Sequence, residues 1–171
     1  MENPFVLRPY EGVEFFCDRE KETREIIDDL KNGVNVTLIS PRRYGKTGLI
    51  YRVFDELTRT NSSFTLCYCD IYSADGLDSF VKLLSESILV NLKTKPALKK
   101  FFSFFSGIRP LVSYDPISGS PQVSIIYQNE GQKLSTLKSI FDFLGSQKKK
   151  FVVAFDEFQI IRTFKGVNME A

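Results

Sequence analysis

The chain contains no histidine and no tryptophan among its 171 residues. Without histidine there is no Ser-His-Asp or Cys-His nucleophile pair and no histidine-containing metal site. Cysteine is scarce, with Cys17, Cys67 and Cys69 alone. An odd, unclustered set of three gives neither a disulfide framework nor a four-cysteine zinc site. Cys67 and Cys69 lie two apart in a strand-like run and so share one face of it, which reads as buried structural thiols in a reducing compartment. Charge of one sign is also lacking: Lys plus Arg number 23 and Asp plus Glu 21, a net +2, which argues against wrapping nucleic acid through bulk charge. No apolar run approaches the ~20 residues of a membrane span, and the N-terminus lacks a basic stretch followed by an apolar one. These absences predict a cytoplasmic protein with no membrane partner.

What is present is a core. Hydrophobic residues make up 43% of the chain, 16 of them phenylalanine, which is too many for a disordered polymer. The length suits one domain. After an irregular lead-in over 1–17, Asp18 reads as the N-cap of a helix running to about Lys31, with Glu20 and Glu22 in its first turn. Asn32-Gly33 stops it. VNVTLI (Val34–Ile39) is β-branched and apolar, the pattern of a buried strand. Leu49, Ile50, Val53, Phe54 and Leu57 then repeat at helical spacing. A second strand is predicted over Phe64–Ile71, followed by a helix ending near Leu92. A third helix is predicted through Leu134, Leu137, Ile140, Phe141 and Leu144, with Gly145 as its stop, and a strand over Phe151–Phe155. Residues 94–129 interrupt the rhythm with a phenylalanine cluster (Phe101–Phe105) and two alternating runs around Ser118-Gly119, which read as an inserted helix and β-hairpin. Alternating strands and helices predict an α/β fold, a mostly parallel sheet with helices on both faces.

The chemistry concentrates in two places. SPRRYGKT (Ser40–Thr47) joins the first strand to its helix and matches the second half of G-x-x-x-x-G-K-[ST], with Ser40 where the pattern has its first glycine. Such a loop turns backbone N–H groups toward phosphate oxygens, sends a lysine (Lys46) to the β- and γ-phosphates and a hydroxyl (Thr47) to Mg²⁺. VVAFDE then ends an apolar strand in two acids. Asp156 fits a Mg²⁺ holder and Glu157 a general base on the attacking water. A solvated strand-end carboxylate is the plainer reading of Glu157. A GTPase would carry a DxxG turn at this second motif and an NKxD-like base reader, and this chain carries neither. Arg42 and Arg43 add positive charge beside the loop or are simply solvated. Lys148–Lys150 suit a helix C-terminus better than a nucleic-acid contact.

Four segments in order resemble one family. FCDREKE (Phe16–Glu22) resembles the F-x-G-R-E-x-E box ahead of the P-loop in AAA+ ATPases of the STAND type. SPRRYGKT resembles their G-P-R-R-x-G-K-T loop, YCDIYSA (Tyr68–Ala74) their second-strand segment, and FDEFQ (Phe155–Gln159) their Walker B box. The whole looks like the archaeal-type ATPase family, with departures at Asp18 and Ser40. The resemblance implies an additional-strand P-loop NTPase fold, a three-layer sandwich. It implies ATP and Mg²⁺ as ligands, held by Ser40, Pro41, Arg42, Arg43, Tyr44, Gly45, Lys46, Thr47 and Gly48, with the metal between Thr47 and Asp156. It also implies that the residues around Arg19 and Glu20, from Cys17 on, lie near the base; an ordinary helix cap with a surface ion pair is the alternative. The family continues past Walker B with two more strands, a sensor and a lid, so residues 1–171 are expected to be the N-terminal part of one ATPase domain. In the family sheet order 5-1-4-3-2, the P-loop strand would then pair with the Walker B strand directly or be covered by a second copy. The implied function is a nucleotide switch with Mg-dependent ATP hydrolysis, gating a protein partner or an oligomer. A non-catalytic, nucleotide-stabilised interaction module is the alternative.

Overall fold

A computed structural model describes residues 10–16, 18–60, 63–92, 94–104, 111–127 and 130–164. The chain forms two compact units, Met1–Phe64 and Thr65–Ala171. Cys17 and Phe105 lie outside the described residues.

The first unit holds a 3-10 turn (Val13–Phe15) and two helices that pack on each other, α1 (Glu20–Lys31) and α2 (Lys46–Thr60). α1 has Glu20 and Glu22 in its first turn and Lys31 in its last, the arrangement its dipole favours. It buries Thr23 and Ile27, four apart. Gly33, at φ +76°, ends it. Its cap is Arg19, not Asp18. Arg19 is left-handed (φ 63°, ψ 23°), and no side chain caps the helix. Asp18 is left-handed as well, at φ 65°, whereas a capping side chain works from extended backbone. α2 buries Gly48, Leu49, Val53 and Leu57 along one stripe. Tyr10 fastens the lead-in to this helix, its hydroxyl donating to Asp55 Oδ2 at 2.8 Å.

The stretch predicted as a buried strand, Val34–Ile39, carries no strand and enters neither sheet. Ile39 is 91% exposed and Val34 50%. A β-branched apolar run becomes a strand only when a neighbour satisfies its ladder, and none of the described strands pairs with it.

The second unit is built around β1 (Phe64–Asp70) and α3 (Leu77–Leu89). α4 (Lys95–Ser103), β2 (Leu111–Tyr114), β3 (Pro121–Ser124), α5 (Glu130–Gly145) and β4 (Lys150–Asp156) follow, then a 3-10 turn over Phe158–Thr163. Instead of one mostly parallel sheet, the described residues form two small ones, β1–β4 and the antiparallel hairpin β2–β3. The fold is therefore mixed α/β. Alternation places Cys67 and Cys69 in the core, and they are fully buried there. Phe80, Val81, Leu84 and Ile88 of α3, Phe101, Val123, Ile140 and Phe143 complete it. Phe101 and Phe104 both meet the Phe143 ring edge-on, with centroids at 4.9 and 5.6 Å. The phenylalanine cluster is thus largely core.

Two side chains shape the hairpin. Asp115 accepts from the Ile117 and Ser118 N–H groups at 2.9 and 2.7 Å, which folds the connection back. Glu86 of α3 accepts from Val123 N–H at 2.7 Å and so satisfies a backbone donor of β3 with a side chain.

Candidate functional site

Ser40-Pro41-Arg42-Arg43-Tyr44-Gly45 leads straight into α2, whose first residues are Lys46 and Thr47. Arg43 and Gly45 both have left-handed backbone, φ 65° and 70°. Left-handed residues in a tight turn are the material of anion-binding nests, in which successive N–H groups line one concavity. Lys46 Nζ reaches back across the loop to donate to Ser40 O at 3.0 Å and Pro41 O at 3.3 Å. Its ammonium thus closes the loop onto its own first residues. Gly45 O accepts from Leu49 N–H at 2.9 Å, so the helix ladder begins at the glycine.

Ser40 is not among the residues with positive φ. The position that the P-loop pattern gives to glycine therefore needs no glycine freedom here. Ser40 Oγ is buried without a hydrogen-bond partner among the described residues, an exception to the usual pairing of buried polar atoms. Arg42, Arg43 and Tyr44 are exposed, and Gly48 is buried.

Arg19 is drawn to this loop: its Nη1 donates to Tyr44 O at 3.0 Å, and its Nε is bonded to the Glu22 carboxylate. Glu20 is the exposed first residue of α1, and its carboxylate makes no hydrogen bond or ion pair among the described residues. The structure therefore joins Arg19 to the phosphate-loop residues and leaves Glu20 apart from them.

In the second unit, Asp156 is the last residue of β4 and only 8% exposed. Tyr68 of β1 donates its hydroxyl to Asp156 Oδ2 at 2.8 Å, and Glu157 N–H donates to Oδ1 at 2.9 Å. Both oxygens are thereby aimed. Glu157 is left-handed (φ 58°, ψ 36°), and its carboxylate accepts from Gln159 Nε2. Sequence reasoning assigned Tyr68 no role. The signal was there in the alternation, since Tyr68 lies between two core cysteines and must face the other side of β1.

The thiols take no part. Burial, with Cys69 nearby, pushes Cys67 up to about 12, and burial raises Cys69 too, so neither supplies a thiolate near neutrality. A recess of about 590 Å³ in the first unit is lined by Tyr10, Glu11, Gly12 and Asp55. Its two carboxylates would repel a phosphate, and it contains none of the loop residues. Among the described residues there is no group of three or more His, Cys, Asp or Glu placed to hold a metal ion on its own. No helix among them is long and apolar enough to cross a membrane.

Comparison with family models, with curated proteins and with solved structures gives no match.

Proposed function

We propose that this chain binds ATP at Ser40–Gly48 and hydrolyses it with Mg²⁺. One observation carries the reading. Among the described residues, Asp18, Arg19, Arg43 and Glu157 are the four non-glycine residues with positive φ, and all four fall within the three segments FCDREKE, SPRRYGKT and FDEFQ. Each such residue costs on the order of 1 kcal/mol, and strain of this kind gathers at functional sites.

The residues fit the ligand. α2 begins at Lys46-Thr47 and turns its positive dipole end toward the loop that precedes it. Lys46 exchanges two carbonyl acceptors for phosphate oxygens, which are stronger acceptors for an ammonium. Thr47 Oγ1 and the Asp156 carboxylate would hold Mg²⁺, which would supply positive charge against the phosphate oxygens. Glu157 takes the proton of the water that attacks the γ-phosphorus, while the bond to the ADP oxygen breaks. Its left-handed backbone and the Gln159 amide hold that carboxylate in one orientation.

Calorimetric titration of Mg-ATP into the chain, beside Lys46→Ala, tests the reading. Micromolar binding that Lys46→Ala abolishes is the expected result. A folded wild-type chain that takes up no Mg-ATP overturns it.

A second reading, a non-catalytic module that uses nucleotide for stability and docks a protein, draws on the hairpin. There Ile117 is 95% exposed, and Leu111 and Tyr114 also face solvent. Glu157→Gln separates the two, because it alters turnover only in an ATPase.

A further inference from the structure

The resemblance that suggested a nucleotide site places Arg19 beside the base. Its hydrogen bonds join it to the loop at Ser40–Thr47. Arg19 Nη1 donates to Tyr44 O at 3.0 Å, and its Nε is held by Glu22 one turn into α1. The guanidinium lies against the loop at its glycine: a Cβ built on Gly45 would find Arg19 Nη1 as its nearest neighbour, at 3.8 Å. The side chain of Arg19 is only 27% exposed. It leaves an α1 cap that is itself left-handed, so backbone strain and side-chain bonding act at the same residue.

The bonded carbonyl matters for what it is joined to. In a trans peptide the C=O of one residue and the N–H of the next point in opposite directions across one plane. Holding Tyr44 O toward Arg19 therefore turns Gly45 N–H away from it. That plane lies between left-handed Arg43 and left-handed Gly45, where glycine permits the backbone more than one orientation. Without a partner for Tyr44 O, the plane can rotate and take its donor with it. Arg suits the task better than Lys, because its planar fork bonds a carboxylate and a carbonyl simultaneously.

We infer that Arg19 is a positioning residue of the phosphate loop: with Glu22 behind it, it fixes the Tyr44–Gly45 peptide plane and so aims Gly45 N–H, and it makes no contact with the base. The inference rests on the nucleotide reading above for its ligand but on the loop alone for its geometry.

Two ligands and one ligand-free measurement test it. Mg-ATP and Mg-tripolyphosphate, which has no base, are titrated into wild type, Arg19→Ala, Arg19→Lys and Glu22→Gln. Arg19→Ala should weaken both ligands by the same factor, about tenfold for one charge-assisted hydrogen bond. Arg19→Lys should fail to restore them, and Glu22→Gln should weaken both to a smaller degree. A loss confined to Mg-ATP makes Arg19 a base contact and overturns the proposal, as does full rescue by lysine. The third measurement is amide exchange at residues 42–45 without ligand. It should quicken in Arg19→Ala at unchanged global stability, and an unchanged rate overturns the proposal. If wild type binds neither ligand, the nucleotide reading fails, and the exchange measurement still decides the role of Arg19. If Arg19→Ala does not fold, Arg19→Lys and Glu22→Gln carry the same comparisons.

Discussion

The Tyr127 hydroxyl is buried with no hydrogen-bond partner among the described residues. A phenol left that way carries a desolvation cost of about 1–3 kcal/mol that nothing offsets. Tyr127→Phe should therefore raise stability, by about 1 kcal/mol, read from the urea midpoint. The same burial, helped by the Asp78 carboxylate, pushes Tyr127 from 10.0 up to about 12. Cys67 rises from 9.0 to about 12 through burial. Both groups are neutral when protonated, and folding favours that form. Their contribution is complete below pH 9, where the unfolded chain is still protonated, and is lost as pH climbs toward 12. Unfolding midpoints followed from pH 8 to 12 should fall over that window, and Tyr127→Phe should flatten the part above pH 10. At this scale the candidate site was largely legible. Gly45-Lys46-Thr47 falls at the start of α2 and the acid pair Asp156-Glu157 at the end of β4, as the sequence pattern suggested. The bond from Arg19 to Tyr44 was not legible, since it joins residues 25 apart through a guanidinium whose direction no local pattern encodes.

Helices and strands differed in how far their own residues announced them. α2 and α3 follow from apolar spacing alone, because a helix satisfies its backbone within the segment. The left-handed turn at Asp18-Arg19 moved the start of α1, a shift that composition does not signal. Val34–Ile39 shows the opposite limit. Its residues are those of a strand, yet strandedness is a property of a pair, and the partner has to come from distant sequence. The consequence is measurable. Ile39→Lys should change stability by no more than about 0.5 kcal/mol, as an exposed position does. A buried strand residue would lose several times that, so equilibrium unfolding of this one variant reports the environment of the segment. β1 and β4, by contrast, were visible in sequence as apolar runs, and they found each other.

Across the whole molecule the proposed machinery divides by unit: Lys46, Thr47 and Arg19 belong to Met1–Phe64, and Asp156 and Glu157 to Thr65–Ala171. The two sets can therefore be challenged separately. Glu157→Gln should leave Mg-ATP affinity within about twofold of wild type while slowing phosphate release by about 10²–10⁴, the weight of a general base. Coupled phosphate assay and calorimetry on the same preparation check both halves. Stability rests mainly on the second unit, whose core gathers β1, α3, α5 and the Phe101–Phe143 ring contact. β1 also carries Tyr68, on the face away from the core cysteines, and the bond from its hydroxyl to Asp156 spans 88 residues. Contacts of such separation form late and slowly, because the loop between them must close first. The Glu157 N–H reaches the acid from next door in sequence, but the Tyr68 bond forms only when β1 and β4 pair in register. A slip of one residue would swing Tyr68 to the opposite face and break that bond. A single phenol thereby marks correct assembly, a contact missing from any chain that has paired its strands wrongly.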